Sequence, residues 1–227
     1  MIIFFHIPKC AGTTVEEGFS NHFGSDRVKA PATIDDYRVI PPHFLEPYQV
    51  LAGHITHDYA LPYITSTSIL LTLLREPAAR LRSLYNYYRT LNDDIEIVRQ
   101  AKQLSFARWL DTDCPEVTVM VENAIIRSFT PESYWRVDAP ACPELIVSYA
   151  IRFLKIFDSV GFVEDIGVFL LKVRALTGVE IPNVRANSSS VDCTTEVSDE
   201  EMAAWLTRNS ALDLELLRAA KSISIES

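Results

Sequence analysis

The segment His6-Ile7-Pro8-Lys9-Cys10-Ala11-Gly12-Thr13-Thr14 joins the end of an apolar run to the start of an amphipathic one through small residues. A strand–loop–helix junction of this kind suits an anion. The first N–H groups of a helix lack intrahelical acceptors, and the helix dipole adds partial positive charge there. Ala11 and Gly12 let an anion approach the backbone, Thr13 and Thr14 add hydroxyl donors, and Lys9 adds a full charge on a flexible stem. Further along, Arg75 ends an apolar run and Ser83 lies in the amphipathic stretch after it. Arg75 leaves a buried strand and can present a planar fork to a phosphate, while Ser83 can donate a hydroxyl from the following helix. Histidine is the side chain suited to accepting a proton near neutral pH, and five are present: His6, His22, His43, His54 and His57. His54 follows Gly53 at the end of a short strand and is the first choice of base; His57, three residues on, can replace it or orient a substrate. His6 reads as a packing or loop-bracing residue, and His22 and His43 have no supporting context. Taken singly, each feature also has a plain structural reading: a surface lysine at a turn, an arginine salt bridge at a helix start, a small serine at a helix contact, a pair of polar loop histidines.

These residues need elements to position them. Residues 2–7 are apolar up to Pro8 and read as a strand buried on both faces. Val15, Phe19 and Phe23 recur every four residues and put one face of a helix over 14–23. Residues 48–52, 69–74 and 157–163 read as further strands. Pro77 is well placed as the first residue of a helix running to about Leu91, with Leu81, Leu84, Tyr85, Tyr88 and Leu91 as its buried stripe. Helices are also expected over 104–110, 117–129, 142–153 and 166–176, and a last one from Ser198, where Glu201 completes a capping box. The polar stretch 181–193 reads as a long loop. The alternation of strands and helices predicts an α/β fold, and nothing resembles an interdomain linker, so residues 1–227 are expected to form a single domain. In an open α/β sheet, ligands sit beyond the carboxyl ends of the strands. Three such ends would bring Lys9, His54 and Arg75 together.

Composition removes other classes. With 227 residues, 48% hydrophobic and 22% charged, the chain is neither disordered nor fibrous. A net charge of −9, from 21 Lys and Arg against 30 Asp and Glu, disfavours a broad basic surface and hence nucleic acid as a partner. An anion should instead bind in a local pocket. No apolar run is long enough to cross a bilayer and no leader pattern opens the chain, so a soluble, cytoplasmic protein without a membrane partner is expected. The four cysteines, Cys10, Cys114, Cys142 and Cys193, make no CxxC pair, so neither a zinc nor another metal site is expected. The loop is not a Walker A motif, because Lys9 lies three residues before Gly12 and not directly before a hydroxyl residue.

Residues 6–14 resemble the 5′-phosphosulfate-binding loop of sulfotransferases that use PAPS (3′-phosphoadenosine 5′-phosphosulfate), most closely the carbohydrate branch of the heparan sulfate 2-O/6-O kind, with Cys10 where Thr is usual. Leu73-Leu74-Arg75-Glu76-Pro77-Ala78-Ala79-Arg80-Leu81-Arg82-Ser83-Leu84-Tyr85 is similar to that family's second cofactor motif. Weaker likenesses follow in order at 122–127, 160–164 and 187–189. The resemblance implies a P-loop-NTPase-like three-layer sandwich, with a central parallel sheet flanked by helices. It implies PAPS as cofactor, PAP as product and no metal. Pro8, Lys9, Cys10, Ala11, Gly12, Thr13 and Thr14 would hold the 5′ side, Arg75 and Ser83 the 3′-phosphate, and Arg185 a further phosphate contact. The expected reaction is in-line sulfuryl transfer to a hydroxyl, with Lys9 beside the leaving oxygen and His54 or His57 as base. The acceptor would be a sugar, a glycan or another small hydroxylated molecule, with Tyr85, Tyr87 and Tyr88 available to line its cleft. The oligomeric state is left open. Two alternatives stand beside this reading: a P-loop kinase-like phosphotransferase and a non-catalytic PAP- or nucleotide-binding module.

Overall fold

The structure, a computed structural model, describes residues 1–29, 47–138, 140–183 and 193–226. Strands β1 (Ile2–His6), β2 (Val28–Lys29), β3 (Val50–Leu51), β4 (Ile69–Leu74) and β5 (Ser159–Phe162) form a parallel sheet in the order β2-β3-β1-β4-β5. The helices, in chain order, are α1 (Gly12–Phe23), α2 (His57–Ala60), α3 (Pro77–Thr90), α4 (Glu96–Gln103), α5 (Phe106–Leu110), α6 (Pro115–Val121), α7 (Ala124–Arg127), α8 (Pro143–Leu154), α9 (Ile166–Thr177), α10 (Asp199–Asn209) and α11 (Ala211–Glu226).

β1 and β4 are the long central pair, in register from Ile2 opposite Ile69 to His6 opposite Leu73. Strand side chains alternate between faces, and a parallel sheet is covered on both, so these strands must be apolar throughout. Ile3, Phe5 and Ile7 pack on one face against Ile125, Phe129, Ala150, Phe153 and Leu216, from α7, α8, α11 and the turn after α7. Ile2 and Phe4 pack on the other face against Val15 and Phe19 of α1 and Phe169 and Val173 of α9. The result is the expected three-layer sandwich. A third cluster, built on Leu81 and Tyr85 of α3, Trp109 of α5 and Trp205 of α10, lies beside the sandwich.

The pattern of the sequence locates β1, β4, α1, α3, α8 and α9 to within about two residues. It gives no sign of β2, whose two residues are too few to show a period, nor of α4. Two expected helices are each broken. Residues 117–129 divide into α6 and α7 at Asn123, which adopts a left-handed φ of 49°. The last helix, which does open on the Ser198–Glu201 capping box, divides at Ser210 into α10 and α11.

Both breaks have one cause. Asn123 Oδ1 accepts from the Leu212 and Asp213 N–H groups at the start of α11, at 3.0 and 3.4 Å. In return the Asp213 carboxylate accepts from the Ile125 and Ile126 N–H groups at the start of α7, at 3.2 and 2.8 Å. Ser210 Oγ donates to the Val121 carbonyl at the end of α6. Each helix start is capped by a side chain from the other, which satisfies amides that would otherwise be buried unpaired. Asp213→Ala leaves two buried N–H groups without acceptors and should cost roughly 3 kcal/mol in a urea unfolding titration. Asn123→Ala should be non-additive with it, because the two caps share one junction.

Candidate active site

From β1 the chain passes to β2 at one edge of the sheet, and from β4 to β5 at the other, so the crevice between the carboxyl ends of β1 and β4 is the topological switch point. Lys9 and Arg75 leave those two ends. Arg75 Nη1 donates to the Lys9 carbonyl at 3.2 Å, which ties the two loops together.

The loop after β1 turns sharply. Lys9 and Ala11 both adopt left-handed backbone, with φ of 67° and 57°, and the Cys10 N–H donates to the Ile7 carbonyl at 3.1 Å. α1 then starts at Gly12 with no side chain capping it and no acidic residue in its first turn. Its positive end is therefore left to whatever lies in the crevice. The Cys10 thiol points the other way, into the core with Ile7 and Leu74, and burial pushes it up to about 12. With its N–H spent on the turn and its thiol in the core, Cys10 shapes the loop.

Burial, and then the neighbouring Arg75 charge, lower the pKa of Lys9, with Cys10 acting weakly the other way. Its Nζ lies 4.0 Å from the centre of the Tyr87 ring. Among the described residues, neither Lys9 nor Arg75 takes part in an ion pair.

His54 stands at the edge of this group. The His6 N–H donates to the Gly53 carbonyl at 3.0 Å, so the end of β1 holds the turn that carries His54. The two imidazole rings are 4.5 Å apart, centre to centre. His6 is on the α1 face of β1, where Glu16 Oε1 accepts from its Nδ1 at 2.9 Å. His54 keeps an exposed edge, yet crowding by the loop, then His6 and Lys9, push it down to about 4, against Glu16. It is neutral at pH 7. The His6 ring also explains Gly12: a Cβ there would lie 1.9 Å from His6 Cδ2.

His57 is placed differently. It is 2% exposed, its Nδ1 donates to Asp58 Oδ1 at 2.6 Å, and its Nε2 accepts from the Tyr149 hydroxyl at 2.7 Å. Ser83 is half-buried on α3, two turns beyond Arg75. The other arginines of that motif are engaged: Arg80 is buried and donates to the Met120 carbonyl, and Arg82 ties α3 to Thr194, Val197 and Asp199. Of the three tyrosines, Tyr85 is buried and donates to the Leu104 carbonyl, Tyr88 is half-buried, and Tyr87 is 42% exposed beside Lys9. Arg185, His43 and residues 187–189 lie outside the described residues.

Two members of the group have a spacing signal that passes unnoticed in the sequence. Glu16 is four residues after Gly12 and Tyr87 four after Ser83, so each shares a helix face with a candidate residue. Their partners, His6 and Lys9, come from elsewhere, and only the fold supplies them. An open cleft of about 330 Å³ lined by Met1, Ile2, Phe23, Tyr48, Gln49 and Ile69 lies at the amino ends of the strands, away from this group. Among the described residues there is no cluster of three or more His, Cys, Asp or Glu side chains that could hold a metal ion, and no helix is long and apolar enough to cross a membrane.

No family model matches the sequence, and no curated protein does. Solved structures do match the fold. The chain is similar to the crystal structure of a sulfotransferase from Alicyclobacillus acidocaldarius, with a TM-score of 0.51 and 14% identity over 97% of this chain and 95% of that one. It also aligns with mouse sulfotransferase SULT7A1 complexed with PAP, with a TM-score of 0.43 and 13% identity over 92% of this chain and 63% of that one. At such identities the first match shows a shared architecture: this chain has the α/β fold of a solved sulfotransferase.

Gly12→Ala should lower stability by roughly 2–3 kcal/mol through overpacking against His6. Most of that loss should disappear in a His6→Ala background, where the ring is gone. Equal costs of Gly12→Ala in both backgrounds, measured by chemical denaturation, would show that the ring is not the obstacle.

Proposed function

We propose that the protein is a sulfotransferase that moves the sulfuryl group of PAPS to the hydroxyl of a sugar, a glycan or another small hydroxylated molecule. The observation that carries this reading is the meeting of Lys9 and Arg75, two cations outside any ion pair among the described residues, across the β1–β4 crevice with His54 beside them.

The residues suit an anion carrying phosphate and sulfate. The uncapped start of α1 offers backbone N–H groups, and Thr13 and Thr14 offer hydroxyls, to the 5′ side. Arg75 and Ser83 follow β4 and are assigned to the 3′-phosphate, a contact that ordinary adenosine nucleotides lack. PAPS supplies an activated sulfuryl group on a phosphate leaving group. In this assignment Lys9 neutralises the charge that develops on the leaving oxygen, and His54 takes the proton of the attacking hydroxyl. A bound polyanion favours the imidazolium, so it raises His54 from its depressed value and makes it a stronger base in the complex than in the free protein. His57, with both ring nitrogens bonded and its N–H donating to the Ser128 carbonyl, suits bracing of the same segment.

The likeness of residues 6–14 and 73–85 to the carbohydrate branch supports a glycan or sugar acceptor. The net charge of −9 favours a neutral or short acceptor over a long polyanion, which would need a basic groove.

PAP at about a hundred times its Kd should raise the melting temperature by roughly 5–10 °C, equivalent to about 2.7 kcal/mol. ATP with magnesium should not. The opposite pattern would favour the kinase-like alternative, and PAP binding without transfer to any acceptor in a broad panel would favour the non-catalytic one.

Lys9→Ala and His54→Ala should each lower kcat by roughly a hundredfold or more, and Arg75→Ala should mainly raise the KM for PAPS. Because His54 accepts a proton only when neutral, activity is lost as pH falls through its pKa. The acid limb of kcat/KM, which reports the free enzyme, should therefore lie near pH 4, and that of kcat at higher pH. Wild-type turnover by the His54 variant would remove it from the base role.

A further inference from the structure

We propose that Tyr87 is a positioning residue for Lys9: its ring holds the lysine ammonium over the anion loop in the free protein and releases it to the leaving oxygen when the cofactor binds. This rests on the sulfuryl-transfer reading for its second half, while the hold itself belongs to the free protein.

The geometry leaves Lys9 little else to be held by. Its backbone is fixed in the left-handed region, and its carbonyl is tied to Arg75. Those constraints set where the side chain starts and not where its four torsions lead, and a free lysine loses much rotamer freedom on being placed. Among the described residues no carboxylate pairs with its ammonium. The Tyr87 ring meets it at 4.0 Å, well inside the distance at which the negative face of an aromatic ring attracts a cation.

The ring is also in the right place. Tyr87 is one turn beyond Ser83 on α3, so the two share a helix face, and Lys9 is drawn toward the side of α3 that carries Ser83. Tyr87 is 42% exposed, and its own ring neighbour is Tyr88, 5.7 Å away. Among the described residues Tyr87 is not a member of the buried clusters of the core.

The attraction is one that an anion can outbid. A cation on a neutral ring is held by a quadrupole, whereas a phosphate or sulfate oxygen offers a full charge. A carboxylate in the place of Tyr87 would compete with the cofactor on equal terms. The ring thus keeps the ammonium ordered and charged without neutralising it. The groups facing Lys9 are Arg75, which disfavours its charge, the Cys10 thiol, which weakly favours it, His54, which feels the lysine charge in turn, and the Tyr87 ring.

The test separates the hold from the reaction. Reductive methylation with a carbon-13 label keeps the lysine charge and makes each amine visible by NMR, and Lys9→Arg assigns the signal. In the free wild type the Lys9 methyl signal should be shifted upfield by the ring. Tyr87→Phe should keep that shift and Tyr87→Leu should abolish it. Absence of any shift that depends on the ring overturns the hold. Saturating PAP should remove the shift in the wild type, as the ammonium leaves the ring for the anion; a shift that persists with PAP bound overturns the release. Kinetically, because the contact exists only before the cofactor binds, Tyr87→Leu should lower the KM for PAPS about threefold with little change in kcat, and move the alkaline limb of kcat/KM to lower pH, since the ring favours the ammonium in the free protein. Tyr87→Phe should match the wild type in both. Wild-type KM and pH profile in Tyr87→Leu, or the same changes in Tyr87→Phe, overturns the positioning role. If the ring shift is present and the wild type neither binds PAP nor transfers sulfate, the sulfotransferase reading fails and the hold on Lys9 is upheld.

Discussion

The turn between β1 and α1 places two non-glycine residues, Lys9 and Ala11, at positive φ, where the Cβ of an L-residue crowds its own backbone. Each costs on the order of 1 kcal/mol, so the turn exists only because its surroundings impose it. The restraints come from several directions: the Cys10 N–H on the Ile7 carbonyl, the Cys10 thiol sunk in the core, Arg75 on the Lys9 carbonyl, and the His6 ring lying against Gly12. What the strain secures is orientation. The helix that follows begins at Gly12 without a side-chain cap, and the Lys9 side chain lies against the Tyr87 ring of α3.

The β1–β4 crevice gathers like charges. Lys9 and Arg75 disfavour each other, His6 and Lys9 both disfavour a charge on His54, and Glu16, bonded to His6, acts on His54 the other way. In a protein with a net charge of −9 such a group is conspicuous, because acidic side chains are plentiful and none is paired with Lys9 or Arg75 among the described residues. The arrangement works against stability in the free protein and is relieved by an anion, the relation expected where a site gives up stability for binding. The same repulsion sets the protonation states: His54 is neutral and Lys9 is less firmly charged than an exposed lysine.

The parts of this fold that were legible in the sequence are those whose cause is local. β1 and β4 are runs of apolar residues of strand length, and α3 declares its start with Pro77 and its buried face by period. The breaks at Asn123 and Ser210 were not legible, because the groups that cap α7 and α11 lie close to ninety residues away in the chain. The site divides in the same way. That Lys9, Arg75 and His54 follow the ends of strands was legible, because the sequence marks those places with Pro8, Pro77 and Gly53. The difference between His54 and His57 was not, because it depends on Tyr149 from α8, which occupies the Nε2 of one and not the other. Nor was the contact of Lys9 with Tyr87, which needs the β1 loop brought against α3.

Gly12 shows how closely the loop after β1 and His54 are joined. In the sequence it reads as room for an anion on the open side of the loop. In the fold its missing side chain makes room on the closed side, for His6. The His6 ring lies between that glycine and His54, its Nδ1 is fixed by Glu16 of the same helix, and its N–H holds the Gly53 carbonyl just before His54. A movement at the start of α1 therefore reaches His54 through rigid contacts, with no flexible segment between. The end of β1 sets the loop that follows it and the turn after β3 together, so the group proposed to receive the acceptor's proton is placed by the same contacts that shape that loop.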